Sequence, residues 1–198
     1  MRQPILLALL GLALAGRLGA QTGLEANRYD ETFRKYTRRF FGPAFDWRMF
    51  KAQAMTESRL DPAARSRAGA RGLMQLMPTT FAEIQSRNPD LVSIDDPEWN
   101  VAAGIQYDRR LWRTWSGEVS REDQSNFMFA SYNAGPTTIR TAQASARARA
   151  LDHTRWENIE VVAPEVPRWR HRETLEYVRR IGENLGLLND RGLVGRRR

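Results

Sequence analysis

Apolar residues recur along this chain at three- and four-residue intervals and nowhere alternate convincingly with period two, so the pattern predicts helices and no strands. The first stripe is Tyr29, Phe33, Tyr36 and Phe40, on an arginine-rich helix over 24–41 that Gly42 and Pro43 end. Asp46 is an N-cap for a second helix, 47–58; Phe50, Ala54 and Glu57 share one of its faces, and Asp61-Pro62 stops it. A short helix opens at Pro78, carries Phe81 and Ile84, and stops at Asn88-Pro89. Asp96 caps a longer one with Pro97 in its first position, running to 115. Ser120, with Asp123 in the capping-box position, starts a helix toward Tyr132, and Asn133 to Pro136 read as a turn. Pro136 begins the next helix, to about residue 150, and 159–167 reads as irregular, with two prolines. Leu175, Val178, Ile181 and Leu185 mark a last helix over 168–185, with Gly186 as its C-cap. The chain is all or mostly α, in one domain.

Two neighbouring places depart from this pattern. Glu57 is the charged member of an otherwise apolar face, in the last turn of its helix. Burial disfavours the carboxylate form, and the negative end of the helix dipole acts the same way. Both raise the pKa toward what a general acid needs at neutral pH. A rim glutamate paired with Arg59 or Arg67 fits the same spacing. Next, Gly69 and Gly72 bracket Ala70-Arg71, and Leu73-Met74-Gln75-Leu76-Met77 runs into Pro78. Glycines so placed let backbone approach a neighbour or ligand closely. Gln75 is a neutral donor and acceptor among apolar residues, suited to sugar hydroxyl and acetamido groups. Met74 and Met77 suit a core at least as well as a cleft.

Length and charge narrow the class. The 198 residues make one domain plus ends. A formal charge of +8 attracts polyanions such as an anionic cell wall. The arginines are scattered, and no aromatic-interleaved basic motif marks a nucleic-acid module, so nucleic acid is not the expected partner. Cysteine is absent, which excludes disulfides, thiol catalysis and cysteine-held metals. His153 and His171 stand far apart without an acidic partner at ligand spacing, and no calcium, zinc or phosphate loop is present; no metal or cofactor is expected. Residues 1–20 read as a secretory signal: Arg2, an apolar run over 5–15, then small residues. A cut after Ala15 fits residue size better than one after Ala20, and an uncleaved N-terminal anchor is the alternative.

Glu57-Ser58, the loop Gly72-Leu73-Met74-Gln75, Tyr132-Asn133-Ala134-Gly135 and the stretch from Arg172 to Val178 come in an order that resembles the lytic transglycosylases with a goose-lysozyme-like catalytic domain. The resemblance implies a single lysozyme-like helical domain over 45–186; the residues themselves place an N-terminal helix at 21–44 before it and a basic, disordered tail at 187–198 after it. It implies an exported monomer in the periplasm or cell envelope, acting on peptidoglycan glycan strands, alone or within an envelope assembly. Glu57 would protonate the glycosidic oxygen between N-acetylmuramic acid and N-acetylglucosamine, then take the proton from the muramoyl O6. O6 attacks C1 and leaves a 1,6-anhydro end without consuming water, while the substrate's acetamido group stabilises the positive centre. The substrate-binding residues so implied are Gln75, Tyr132, Ser58, Met74, Asn133, Tyr177 and Glu173. Tyr132 would stand beside Glu57 and donate to it or to the sugar. Asn133 also serves as a turn former, and Ser58 as support for the glutamate's turn.

Glycosidases usually need two carboxylates. Apart from Asp61, no acid follows Glu57 before Glu83, which suits a one-carboxylate mechanism. A hydrolysing muramidase on the same scaffold would show a second carboxylate near Glu57. A non-enzymatic basic wall-binding protein would show an exposed, ion-paired Glu57.

Overall fold

The structure is a computed structural model describing residues 27–195, with side chains to 190; the expected signal at 1–20 and residues 196–198 lie outside the described residues. From Glu31 on, the described residues form one compact unit. The helices are α1 (Asp30–Phe41), α2 (Arg48–Ser58), α3 (Pro78–Arg87), α4 (Pro97–Trp115), α5 (Gln124–Ala134), α6 (Pro136–Ala148), α7 (Trp156–Val162) and α8 (His171–Gly195). A 3-10 turn, Ala163–Glu165, follows α7. Among the described residues there is no strand, only isolated bridges joining Arg65 to Arg71 and Arg71 to Leu76.

A cap and prolines account for three of the helix starts. Asp96 Oδ1 accepts the N–H groups of Glu98 and Trp99 at 2.8 and 3.1 Å, and Pro97 takes the position where a missing donor costs nothing. Pro78 and Pro136 open α3 and α6 the same way. Other boundaries differ from expectation. Helix α2 starts one residue late, at Arg48, whose N–H Asp46 accepts at 3.0 Å. Ser120 and Asp123 do bond, at 2.8 Å, but as a turn before α5; Asp123 also accepts the Trp156 N–H at 3.2 Å and so fixes the start of α7. Asn133 and Ala134 belong to α5, and only Gly135, at φ +85°, breaks the chain before Pro136. Part of the stretch expected to be irregular is α7, because Pro164 falls in the first turn of the following 3-10 segment, where no donor is needed. Finally, α8 runs through Gly186 to Gly195 instead of capping there. One interior glycine costs a helix about 1 kcal/mol, which by itself is not enough to end one. The tail expected to be disordered from 187 is therefore helical to 195.

Helix α5 is the hub. Phe127, Met128, Phe129, Ala130 and Ser131 are all buried, as in a helix enclosed on every side. It packs on α4, α6 and α8, while α2 packs along α8. Trp115 is fully buried and donates its indole N–H to Ser131 Oγ at 2.9 Å. Phe41, Phe45, Phe50 and Trp112 form an aromatic cluster with neighbouring ring centroids 4.4 to 6.1 Å apart, closing the turn between α1 and α2. The α2–α8 pairing matters most for function, because it joins the two ends of the chain's chemistry.

Candidate active site

Helix α2 stops just past Glu57 because Arg59 turns left-handed, at φ +56°, and donates its N–H to the Met55 carbonyl at 3.1 Å. Leu60 follows at φ +63°. Left-handed backbone costs non-glycine residues about 1–2 kcal/mol each, so this abrupt turn is held by its surroundings. Part of Glu57 is open to solvent, yet its carboxyl group is enclosed by protein. That desolvation pushes its pKa up to about 7. Tyr177 on α8 donates its hydroxyl to Glu57 Oε1 at 2.6 Å and acts in the opposite direction, favouring the ionised form. Among the described residues no arginine or lysine pairs with Glu57. The rim glutamate paired with Arg59 or Arg67 is not what the fold adopts.

The glycine loop is built against α4. Asn100, fully buried, accepts the Met74 N–H at 2.8 Å and donates to the Arg71 and Ile94 carbonyls at 2.9 Å each. Gly72, at φ +74°, is required twice over: a Cβ there would meet the Asn100 side chain at 2.5 Å. Gly104 on α4 leaves the room that Met74 fills, since a Cβ there would come within 2.7 Å of that side chain. Arg71 and Leu76 exchange backbone bonds of 2.9 and 3.0 Å, closing the loop.

The expected site residues divide into distinct places. Tyr177 reaches Glu57. Tyr132 packs edge-on against Tyr107, at 5.2 Å between centroids, but its hydroxyl donates to the Met74 carbonyl at 2.8 Å, not to Glu57. Burial, then the nearby Asp108 and Glu57 carboxyls, push its phenol well above the usual range, so it stays protonated. Met74 is fully buried and belongs to the core. Ser58 Oγ lies 2.9 Å from the Leu73 carbonyl and 3.2 Å from that of Ala54, joining the end of α2 to the loop. Gln75 sits at φ +44° and gives its amide hydrogens to the Ala64 and Gly72 carbonyls at 3.1 and 3.0 Å, which leaves its oxygen as the free end. Asn133 is exposed; its Oδ1 accepts from Thr174 at 2.8 Å, which anchors the first turn of α8. Glu173 does not join the group: it is exposed and pairs with Arg170 at 3.0 Å.

Asp108 is the residue sequence reasoning passed over. It is fully buried on α4, meets Gln53 Nε2 at 3.5 Å, and lies close enough to Glu57 for the two charges to act on each other. The rule that singled out Glu57 finds it too. Asn100, Gly104, Asp108, Leu111 and Trp115 recur at three and four residues, so Asp108 is a charge on a core-facing stripe.

Residues 36–154 match the transglycosylase SLT domain family. A membrane-bound lytic murein transglycosylase F of Desulfosudis oleivorans is 34% identical over 120 residues, 61% of this chain and 25% of that protein. One from Vibrio cholerae is 30% identical over 140 residues, 70% of this chain and 24% of its own. Among solved structures, the 70 kDa soluble lytic transglycosylase of Escherichia coli superposes with a TM-score of 0.63 at 27% identity, over 79% of this chain and 23% of that one. A complex of the 70 kDa enzyme with bulgecin A gives 0.63 at 26%, over 81% and 24%. The chain thus spans about a quarter of the length of the relatives it matches. The helical fold is the lysozyme-like one of that enzyme. With the match covering more than half of its length, the chain belongs to the transglycosylase SLT domain family.

Proposed function

We propose that this domain is a peptidoglycan lytic transglycosylase in which Glu57 is first the acid and then the base. The observation that carries the reading is the Glu57 carboxyl, enclosed, without a cationic partner, and with a pKa of about 7. Such a group holds a proton near neutral pH and can both give it up and take one back. It would protonate the glycosidic oxygen between N-acetylmuramic acid and N-acetylglucosamine as the C1–O bond breaks. The substrate's acetamido group would stabilise the positive centre, with no protein nucleophile needed. The Glu57 carboxylate, stabilised by the Tyr177 hydroxyl, would then accept the O6 proton while O6 closes on C1. The products are a 1,6-anhydro end and a free 4-hydroxyl, with Glu57 again protonated. A positioned proton donor contributes about 10²–10⁴-fold, and orientation of the sugar supplies the rest.

Hydrolysis on the same scaffold would need a second carboxylate to activate water. Among the described residues, Asp108 is the carboxyl that Glu57 acts on, and it is fully buried against Gln53, away from an open cleft. That favours the one-carboxylate reaction. The relatives' names, lytic murein transglycosylase, support the reading, which takes the glycan strands of the envelope as substrate. An exported location, with the signal expected at 1–20, is part of the same proposal. No helix of the described residues is long and apolar enough to cross a membrane. The test is mass analysis of muropeptides after digestion by the wild type and by Glu57→Gln. The reading expects anhydro ends from the first and none from the second; reducing ends, or substantial turnover by Glu57→Gln, would reject it.

A further inference from the structure

Two buried oxygens of neighbouring side chains have no hydrogen-bond partner: Oδ2 of Asp108 and Oε1 of Gln53. Both residues are fully buried, and Gln53 Nε2 already faces Asp108 Oδ1 at 3.5 Å, longer than an ordinary bond. Buried polar atoms are nearly always paired, and here two unpaired acceptors belong to side chains that already face each other. As a carboxylate, Asp108 offers only acceptors, and Gln53 Oε1 is a further acceptor, so the two free oxygens cannot pair with each other. One proton removes both defects. With hydrogen on Oδ2, the acid would donate to Oε1 while Nε2 donates to Oδ1, and a small approach of the two groups would close a ring of two hydrogen bonds.

We propose that Asp108 carries a proton in the working protein, and that the closed Asp108–Gln53 pair positions Glu57. The proposal rests on Glu57 being the acid of the site, as argued above. Gln53 lies four residues before Glu57, on the same face of α2. Tying it to α4 fixes that face one turn below the reacting carboxyl. A neutral Asp108 also adds no like charge beside Glu57, which would otherwise hold its proton too tightly to give it up. The surroundings agree. The titratable groups that interact with Asp108 are Glu57 from α2, Tyr132 from α5 and Tyr177 from α8, and none is a cation. Burial, with the Glu57 charge adding to it and the Gln53 contact opposing, holds the Asp108 carboxyl well above the usual carboxylate range.

The test compares Asp108→Asn and Asp108→Leu in the full chain. Asparagine puts an amide N–H where the acid's hydrogen would be and can form the same ring; leucine strands the Gln53 amide. The Leu variant is expected to lose about tenfold or more in turnover through displacement of the Glu57 face. The Asn variant should recover most of that loss and keep the basic limb of the pH profile where the wild type has it. An ionised Asp108 predicts something else: asparagine would then remove a negative charge beside Glu57, and the limb would move to lower pH. That shift overturns the proposal, as does full turnover by the Leu variant. A third measurement is independent of cleavage. In a Glu57→Gln background at neutral pH, infrared difference spectra should show the C=O stretch of a protonated carboxylic acid, and adding Asp108→Asn should abolish it. If no such band is found, Asp108 is not protonated, whatever the chain cleaves. A band in a protein whose wild type cleaves nothing supports the pair and rejects the proposed function.

Discussion

The Tyr177 hydroxyl donates to Glu57 Oε1 at 2.6 Å across 120 residues of sequence. The bond joins the last turn of α2 to the second turn of α8, and the packing of those two helices holds it in place. It opposes the desolvation that raises the Glu57 pKa, so the carboxyl is balanced between two effects of opposite sign.

Tyr177→Phe keeps the ring and removes the opposing bond. The Glu57 pKa should then rise above about 7, and the basic limb of the pH–activity profile should move to higher pH. Tyr132→Phe is the contrast. Its hydroxyl bonds the Met74 carbonyl, so its loss should cost stability by about 1 kcal/mol and leave the limb in place. Profiles of kcat/KM against pH for the two variants decide this; a limb that moves with Tyr132 and not with Tyr177 would reverse the assignment.

Stability should carry the same signature. Glu57 is near its ordinary pKa of 4.5 when unfolded and at about 7 when folded. An acid whose pKa is raised by folding stabilises the native state below the unfolded value, and that contribution is lost as pH rises through the folded one. The shift corresponds to at most about 3 kcal/mol. Glu57→Gln should therefore match the wild type in denaturant melts near about pH 4 and exceed it at about pH 8. Parallel curves for the two proteins across that range would mean that the carboxyl is not desolvated in the native state.

Gly104→Ala sets two effects against each other. Alanine in a helix interior gains about 1 kcal/mol over glycine. Against that, the new methyl meets Cβ, Cγ and Cε of Met74 within 2.9 Å, and Met74 is fully buried. Overpacking of this kind costs about 1–3 kcal/mol and pushes on the loop that Asn100 holds. Packing should win. The variant is expected to melt at lower temperature and to lose turnover, and a higher melting temperature would show that the loop gives way freely.

Arginines set the last prediction. A groove of about 650 Å³ is lined by Arg39, Arg87, Arg109, Arg110 and Arg113, with Glu83 as its one carboxylate. Binding to insoluble peptidoglycan should weaken as salt rises, because the Debye length falls from about 10 Å at 0.1 M to about 3 Å at 1 M. Arg113→Glu should lower that binding several-fold at low salt and little at high salt. Cosedimentation measures it, with turnover of a short uncharged glycan fragment as the comparison. Equal salt sensitivity for both substrates would argue against a separate role for the basic surface.

Local chemistry by itself determined much of this protein. Pro78, Asp96-Pro97 and Pro136 start helices wherever they fall, because caps and proline act within a turn of chain. The apolar stripe through Phe50 and Ala54 marks Glu57 as out of place without any knowledge of its neighbours. What the stripe cannot say is which atoms a side chain meets, because that depends on which helices pack together. Tyr132 and Tyr177 are both tyrosines in motifs far from Glu57. Only the pairing of α2 with α8 gives the carboxyl to Tyr177, and only the loop's closure on Asn100 gives Tyr132 the Met74 carbonyl. Gln75 looked free to meet a sugar until the loop's own carbonyls took its amide hydrogens. Asp108 stood on a legible stripe, but its place beside Gln53 and Glu57 is set only in the folded chain, where a side chain of α4 meets one of α2. Desolvation belongs to that enclosure, so a pKa of about 7 is a property of the packed helices and not of any segment alone.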